Sequence, residues 1–216
     1  MMQPAAASHE VSTETRHAAG RLGMWVFLAT ELMLFGPLFL AYFFGRTHFP
    51  EAFAEASRRT SFWLGSINTA VLLTSSLAMA LAVHTHEQRK DRAAPRWLLL
   101  AAVLGIVFLF IKGSEYLSDW HEHLVPGVDF HFRAATLGGA EIFFYLYFAM
   151  TGLHALHLVI GSTATLLFSW GLWRGSPTFT TQPRVEILAL YWHFVDSVWV
   201  FLYPMLYLVG RSGGQG

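Results

Sequence analysis

The chain has 216 residues, of which 54% are hydrophobic, 16% aromatic and only 13% charged. A soluble domain usually carries about 25% charged residues, so this composition is that of a membrane protein. The chain has no cysteine and a formal net charge of zero, which excludes disulfides and thiolate metal sites and gives a nucleic-acid partner no electrostatic support.

The N-terminal residues lack the apolar segment of a signal peptide, and we expect 1–20 to be a disordered polar tail. Five apolar segments follow, each close to the roughly 20 residues that a helix needs to cross the hydrocarbon layer. Helices satisfy their own backbone hydrogen bonds in lipid. The sequence therefore predicts an all-α, polytopic membrane protein, with one domain at 21–211 that is a bundle of five transmembrane helices. These helices are predicted at about 22–45, 63–83, 97–117, 142–170 and 188–210.

The distribution of Lys and Arg predicts the orientation, because five crossings put the termini on opposite sides of the membrane. Eight lie on the side of the N-terminus: Arg16, Arg21, Arg89, Lys90, Arg92, Arg96, Arg174 and Arg184. Five lie on the other side: Arg46, Arg58, Arg59, Arg133 and Arg211. That side also has a long loop, 118–141, with the acidic residues Asp119, Glu122 and Asp129. The positive-inside rule then predicts a cytoplasmic N-terminus and a periplasmic C-terminus.

Seven ionisable residues fall inside the predicted spans, where each costs at least about 2.5–3.5 kcal/mol at the bilayer centre. They are Glu31, Lys112, Glu115, His154, His157, His193 and Asp196. Residues three or four apart share a helix face, so Lys112 and Glu115 are expected to pair, and His154 and His157 to lie on one face. These side chains should face other helices, water or a partner protein.

The stretch "YWHFVDSVWVFL", residues 191–202, places His193 and Asp196 on one face of the last helix. A hydrogen bond between them would lower the cost of burying both, and we interpret them as a polar pair that locks this helix to its neighbours. Trp192, Trp199 and Tyr203 are interpreted as contacts to other helices or to lipid.

Two other functions are compatible with the buried polar residues. Three histidines with carboxylates could ligate a metal, although His154 and His157 are too close on one helix to hold opposite faces of a haem, which would need His193 at the same depth. A proton relay or transporter would also use such groups. The ionisable residues are spread over four helices, however, and the chain has no internal repeat of the kind common in transporters.

Four motifs resemble subunit III of the haem–copper respiratory oxidases, in order and in spacing. They are "GMWVFLATELMLF" (23–35), "KGSEY" (112–116), "FFYLYFAMTGLHALHLVIG" (143–161) and "YWHFVDSVWVFL", the last preceded by an acidic residue at Glu186. The resemblance spans nearly all of the chain from the first helix to the last, and it is closest to the five-helix bacterial type.

The resemblance implies a non-catalytic accessory subunit with no metal and no cofactor of its own. Its expected partners are oxidase subunit I, which carries haem and copper, subunit II of the same complex, and membrane phospholipid, with no nucleic acid. It implies that Glu31, Glu115, His154, His157, Glu186, His193 and Asp196 are buried polar positions that support proton uptake or stability and not catalysis. It also implies residence in the bacterial cytoplasmic membrane.

The resemblance leaves the electron donor open. Many relatives have seven helices, with a lipid-holding cleft between the first two helices and the rest, and this chain matches only the last five. Five-helix relatives include quinol oxidase subunits and accessory proteins of nitric oxide reductase. The "YWHFVD" run favours cytochrome c oxidase, and a stand-alone haem-binding or transport protein is a further alternative.

Overall fold

The computed structural model describes residues 4–88, 92–127, 137–176, 179 and 182–211. Within these residues the chain forms six α-helices and a short π-helix, and no β-strand. The helices are α1 (Pro4–His48), α2 (Pro50–Arg59), α3 (Phe62–Glu87), α4 (Ala94–His121), α5 (Leu137–Trp173) and α6 (Gln182–Tyr203), followed by the π-helix Pro204–Leu208. The predicted all-helical fold is confirmed.

Among the described residues, five stretches are long and apolar enough to cross a membrane, as predicted. They are Ala18–His48, Phe62–Glu87, Ala94–His121, Gly139–Trp173 and Arg184–Leu208. Their ends differ from the predicted ones by one to four residues. Hydropathy locates only the part of a helix that lies in hydrocarbon, whereas the backbone hydrogen bonds continue into the polar flanks.

Helix α1 begins well before the first predicted span. We expected residues 1–20 to be a disordered tail, but the structure has one helix from Pro4 to His48 with no break at residue 20. Proline is well accepted in the first helical turn, and alanine at 5–7 and at 18–19 has the highest helix propensity. Ala18 and Ala19 are exposed, so this extension depends on local propensity more than on packing.

The short helix α2 was not predicted, because a search for long apolar runs does not detect an amphipathic helix of 10 residues. Pro50 occupies its first turn, and its buried residues include Phe53. The Phe53 ring lies 5.4 Å from Tyr42 of α1 and 5.4 Å from Phe143 of α5, measured between ring centroids. Helix α2 thereby closes one end of the bundle.

Helix α6 is the most enclosed span. In its most apolar stretch 56% of the residues are buried, against 17% in that of α1. Helix α4 approaches α6 closely at Gly105, where an added Cβ would lie 2.8 Å from Ser162 Oγ and 3.0 Å from the nearest carbon of the Trp192 ring. The side chains of α6 are therefore held on several sides, and α1 packs at the periphery against α5 and α6.

The predicted orientation in the membrane stays a prediction. Three of the residues on which it depends, Arg89, Lys90 and Arg133, lie outside the described part of the chain, as does Asp129.

Candidate functional site: the buried polar core

A lysine lies at the centre of the polar core. Lys112 Nζ donates hydrogen bonds to Glu115 Oε2 at 2.9 Å, to the Tyr147 hydroxyl at 2.7 Å and to the Tyr207 hydroxyl at 2.7 Å. An ammonium group has three N–H donors, and each of them has an acceptor here. Lys112 and Glu115 are each only 2% exposed. The predicted pairing of these two residues is confirmed.

Two tyrosines link the lysine to two carboxyl groups. The Tyr207 hydroxyl donates to both oxygens of Glu115, at 3.0 and 2.9 Å, and the Tyr147 hydroxyl donates to Asp119 Oδ2 at 3.2 Å. The ammonium also lies 4.4 Å from the centroid of the Tyr147 ring and 5.4 Å from that of Tyr207, within range for cation–π attraction. We call Lys112, Glu115, Asp119, Tyr147 and Tyr207 the lysine cluster.

Tyr207 is positioned by the π-helix that ends the last span. The wider turn starts at Pro204, which has no backbone N–H to continue the α-helical pattern. Side chains from other helices hold two carbonyl groups of this turn: the Ser57 hydroxyl donates to Leu206 O at 2.8 Å, and the Tyr42 hydroxyl donates to Met205 O. The C-terminal segment is thus fixed to α2 and α1, and its tyrosine reaches the lysine.

Asp119 lies in helix α4 and not, as predicted from the sequence, in the long loop. Helix α4 continues to His121, and Asp119 is 8% exposed in its last turns. At this position the residue is seven positions from Lys112 and on nearly the same helix face, because two helical turns span about seven residues. The carboxyl group therefore joins the lysine cluster.

A second pair connects α1 with α5. Glu31 Oε2 lies 2.8 Å from Nε2 of His157, whose Nδ1 lies 2.8 Å from the Leu153 carbonyl oxygen. A carbonyl only accepts, so Nδ1 carries a proton, and the contact between Nε2 and Oε2 then requires one further proton held between the two groups. The sequence did not predict this pair, because the residues are 126 positions apart.

His154 has different neighbours. Its ring lies 5.5 Å from the Phe108 ring and 5.1 Å from the Trp199 ring, between α4 and α6, and it is 1% exposed. Neither ring nitrogen has a hydrogen-bond partner among the described residues. His154 and His157 therefore do not form one site, although both lie on the protein-facing side of α5.

Four side chains of α6 make hydrogen bonds to hydroxyl groups of α3, and we call these bonds the α3–α6 ladder. The indole N–H of Trp192 donates to Ser75 Oγ and that of Trp199 to Thr69 Oγ1, both at 3.1 Å. His193 Nδ1 lies 2.8 Å from Ser76 Oγ, and the Tyr203 hydroxyl lies 2.7 Å from Ser66 Oγ. Trp192 and Trp199 are each 1% exposed, so they pack on helices and not on lipid.

The expected hydrogen bond between His193 and Asp196 is not formed. His193 instead bonds to Ser76 on α3, which offers its ring a partner on a neighbouring helix. Neither oxygen of Asp196 has a hydrogen-bond partner among the described residues, and the Ser76 side chain is the polar group that adjoins it. Asp196 is 5% exposed. His193 thus contacts a neighbouring helix through Ser76, and the role of the pair in locking α6 stays a prediction.

The remaining polar residues do not converge with these. Glu186 is half-buried near the start of α6, about 10 Å along the helix axis from His193. Within the described ranges, no three His, Asp or Glu side chains lie close enough together to hold a metal ion. Most of the buried polar groups instead form hydrogen bonds between neighbouring helices.

Comparisons with known proteins identify the family. Residues 5–211 match the family model described as Cytochrome c oxidase subunit III. The chain is 31% identical to cytochrome c oxidase subunit 3 of Alkalihalophilus pseudofirmus, over 89% of this chain and 87% of that one. It is 30% identical to quinol oxidase subunit 3 of Bacillus spizizenii, over 89% and 88% of the two chains. It is also 30% identical to cytochrome c oxidase subunit 3 of Thermostichus vulcanus, over 88% and 87%.

The family match covers all five spans, and the relatives are matched over most of their own length. The resemblance seen in four motifs therefore extends to the whole bundle. This protein belongs to the cytochrome c oxidase subunit III family of the haem–copper respiratory oxidases.

Proposed function

We propose that this chain is a non-catalytic subunit of a bacterial haem–copper oxidase and that it stabilises the catalytic subunit in the cytoplasmic membrane. The observation that carries the proposal is the match over residues 5–211 to a family of oxidase subunits. The geometry supports it, because the buried polar groups of the lysine cluster and the α3–α6 ladder make bonds between helices of the bundle. On this proposal haem and copper belong to subunits I and II, and this chain carries no redox centre.

We propose cytochrome c as the electron donor of the complex. The relatives include both cytochrome c oxidase and quinol oxidase subunits, at 31% and 30% identity, so identity does not decide between the two donors. The quinol branch is therefore the second candidate. Oxygen uptake by the purified complex separates them: the proposal predicts turnover with reduced cytochrome c, and turnover with a quinol alone would contradict it.

Bound phospholipid is part of the proposal. A groove of about 500 Å³ runs between α1 and α5, with walls that include Leu40, Phe44, Phe49 and Ile142. It is almost entirely apolar and suits an acyl chain. Lipid extraction from the purified complex, followed by mass spectrometry, should find phospholipid at fixed stoichiometry, and lipid that washes out completely in detergent would count against this part.

The accessory role is tested by removing the chain from the complex. The remaining oxidase should keep its haem spectrum, because the cofactors belong to other subunits, but should lose activity faster during turnover. A Glu115→Gln substitution in the intact complex should likewise leave the haem spectrum unchanged while altering proton uptake or stability during turnover. Loss of the haem spectrum on removal of the chain would overturn the proposed role.

A further inference from the structure

Asp196 faces a small cavity on the outer surface of the bundle. The cavity has a volume of about 230 Å³ and lies between α3 and α6, and its polar walls are Ser76, His193, Asp196 and Ser197. Leu73, Val200 and Phe201 form its apolar rim and are 54%, 46% and 65% exposed. The carboxyl group of Asp196, although 5% exposed, therefore lies beside an opening to the outside of the bundle.

Ser76 is the polar side chain that adjoins Asp196, and it shares its hydroxyl with His193 Nδ1, which lies 2.8 Å away. The Ser197 hydroxyl donates to the His193 carbonyl oxygen at 2.7 Å. Both oxygens of Asp196 lack a hydrogen-bond partner within the described part of the chain. A buried acceptor without a donor is strongly unfavourable, so its retention calls for a donor from outside this chain.

The depth of the cavity limits what that donor is. Asp196 is 12 residues from each end of the span Arg184–Leu208, which places it about 18 Å along the helix from either end. A lipid headgroup does not reach this depth, and acyl chains contain no donors. A side chain on another membrane helix does reach it, and membrane helices pair through such hydrogen bonds.

A second copy of this chain is a poor occupant of the cavity, because the rim is apolar. A symmetric dimer would place the same surface on both sides of the interface. Leu73, Val200 and Phe201 would then face each other, and none of them brings a donor to Asp196. The exposed hydroxyl of this surface, that of Ser197, already donates to the His193 carbonyl oxygen. The partner surface must therefore differ from this one.

We propose that this cavity receives a hydrogen-bond-donating side chain from a membrane helix of another oxidase subunit, which pairs with Asp196 while its helix packs on the apolar rim. The inference rests on the proposed function, and it identifies the surface through which this chain contacts the other subunit. Asp196 then serves recognition of the neighbouring subunit.

The proposal is tested by a photoreactive benzoylphenylalanine at Phe201, in the complete complex and with Asp196 unchanged. The expected product is a cross-link to a membrane helix of another oxidase subunit, with a donor side chain near the linked residue in its sequence. Cross-links to lipid alone, or to a second copy of this chain, would overturn the inference. If those products form while the chain still co-purifies with the oxidase, the proposed function stands and only this surface is wrong.

A second test of the proposal uses substitutions of Asp196. Asp196→Leu removes the acceptor, and the fraction of this chain that stays bound to the oxidase in mild detergent should fall about tenfold, whereas Asp196→Asn keeps an acceptor and should lose less. Thr163→Ala is the matched control, since its exposed hydroxyl bonds within its own helix α5 and lies outside the cavity. Circular dichroism and gel filtration establish that the variants fold. Retention of folded Asp196→Leu equal to that of Thr163→Ala would contradict the proposal.

Discussion

Lys112 Nζ lies 2.7 Å from the hydroxyl group of Tyr207, a residue 95 positions later in the chain. The charge in the middle of α4 is therefore fully hydrogen-bonded only after the C-terminal segment has docked. Because Tyr207 also donates to Glu115, one phenol connects the cation to its counter-ion. The lysine cluster thus ties the end of the chain to the centre of the bundle.

Breaking the ion pair should destabilise the protein strongly. Lys112→Met leaves Glu115 buried without its counter-ion, and removal of one partner of a buried pair typically costs about 3–5 kcal/mol. Replacing both, as in Lys112→Met with Glu115→Leu, removes the uncompensated charge and should recover much of the loss. Thermal unfolding in detergent measures both, and a double variant less stable than the single one would refute this account of the pair.

The contribution of the Tyr207 hydroxyl to stability is tested separately. Tyr207→Phe removes an acceptor for Lys112 and a donor for Glu115 while keeping the ring, so we expect a loss of about 1–3 kcal/mol. Tyr145→Phe is the matched control, because Tyr145 is 53% exposed on α5. Equal stability of the two variants would show that the Tyr207 hydroxyl contributes nothing.

Close packing between α4 and α6 is tested at two glycines of one helix. Gly105→Ala would bring a Cβ within 2.8–3.3 Å of Ser162 and Trp192, and relieving such an overlap typically costs about 1–3 kcal/mol. At Gly113 an added Cβ would meet nothing within 4 Å, so Gly113→Ala should be neutral or slightly stabilising by helix propensity. The reverse order of melting temperatures would contradict the observed packing.

The sequence predicts those parts of the molecule that depend on local pattern. The five spans follow from apolar length, and the pairing of Lys112 with Glu115 follows from a spacing of three. The contacts of Tyr147 and Tyr207 with this pair come from distant segments, which one sequence does not place side by side. The three N–H groups of a buried lysine do call for three acceptors, and that requirement points to tyrosine hydroxyls within the spans.

Two other features of the structure differ from those predicted from the sequence. His193 and Asp196 have the spacing of an intrahelical pair, but Ser76 on α3 gives His193 a partner that helical spacing does not reveal. Helix α2 is too short and too polar for a search tuned to membrane spans. At His193 a tertiary contact therefore outweighs the local pattern, whereas α2 is missed because of its own length and composition.

The contribution of one bond of the α3–α6 ladder is measured at Ser76. Ser76→Ala removes the partner of His193, and the loss of one hydrogen bond should reduce stability by about 0.5–1.5 kcal/mol. The control is Thr74→Ala, two residues away, whose exposed hydroxyl bonds to Ala70 O of its own helix. If Thr74→Ala cost as much as Ser76→Ala, the bond to His193 would not stabilise the contact between the helices.

The pair of Glu31 and His157 should determine how firmly α1 is attached. Glu31→Leu leaves His157 Nε2 without its partner, with an expected loss of about 1–3 kcal/mol, whereas the amide of Glu31→Gln still donates to it and should cost less. Limited proteolysis and thermal unfolding of the complex report the attachment of α1. Greater damage from the Gln variant than from the Leu variant would contradict the hydrogen bond.

The most direct test of the central claim is purification of the tagged chain from its native membrane in mild detergent, with the co-eluting proteins identified and quantified by mass spectrometry. The account predicts a haem–copper catalytic subunit and its copper-bearing partner at fixed stoichiometry, with the haem spectrum assigned to the catalytic subunit. Elution of the chain alone, or with a chromophore of its own, would contradict its role as an accessory subunit.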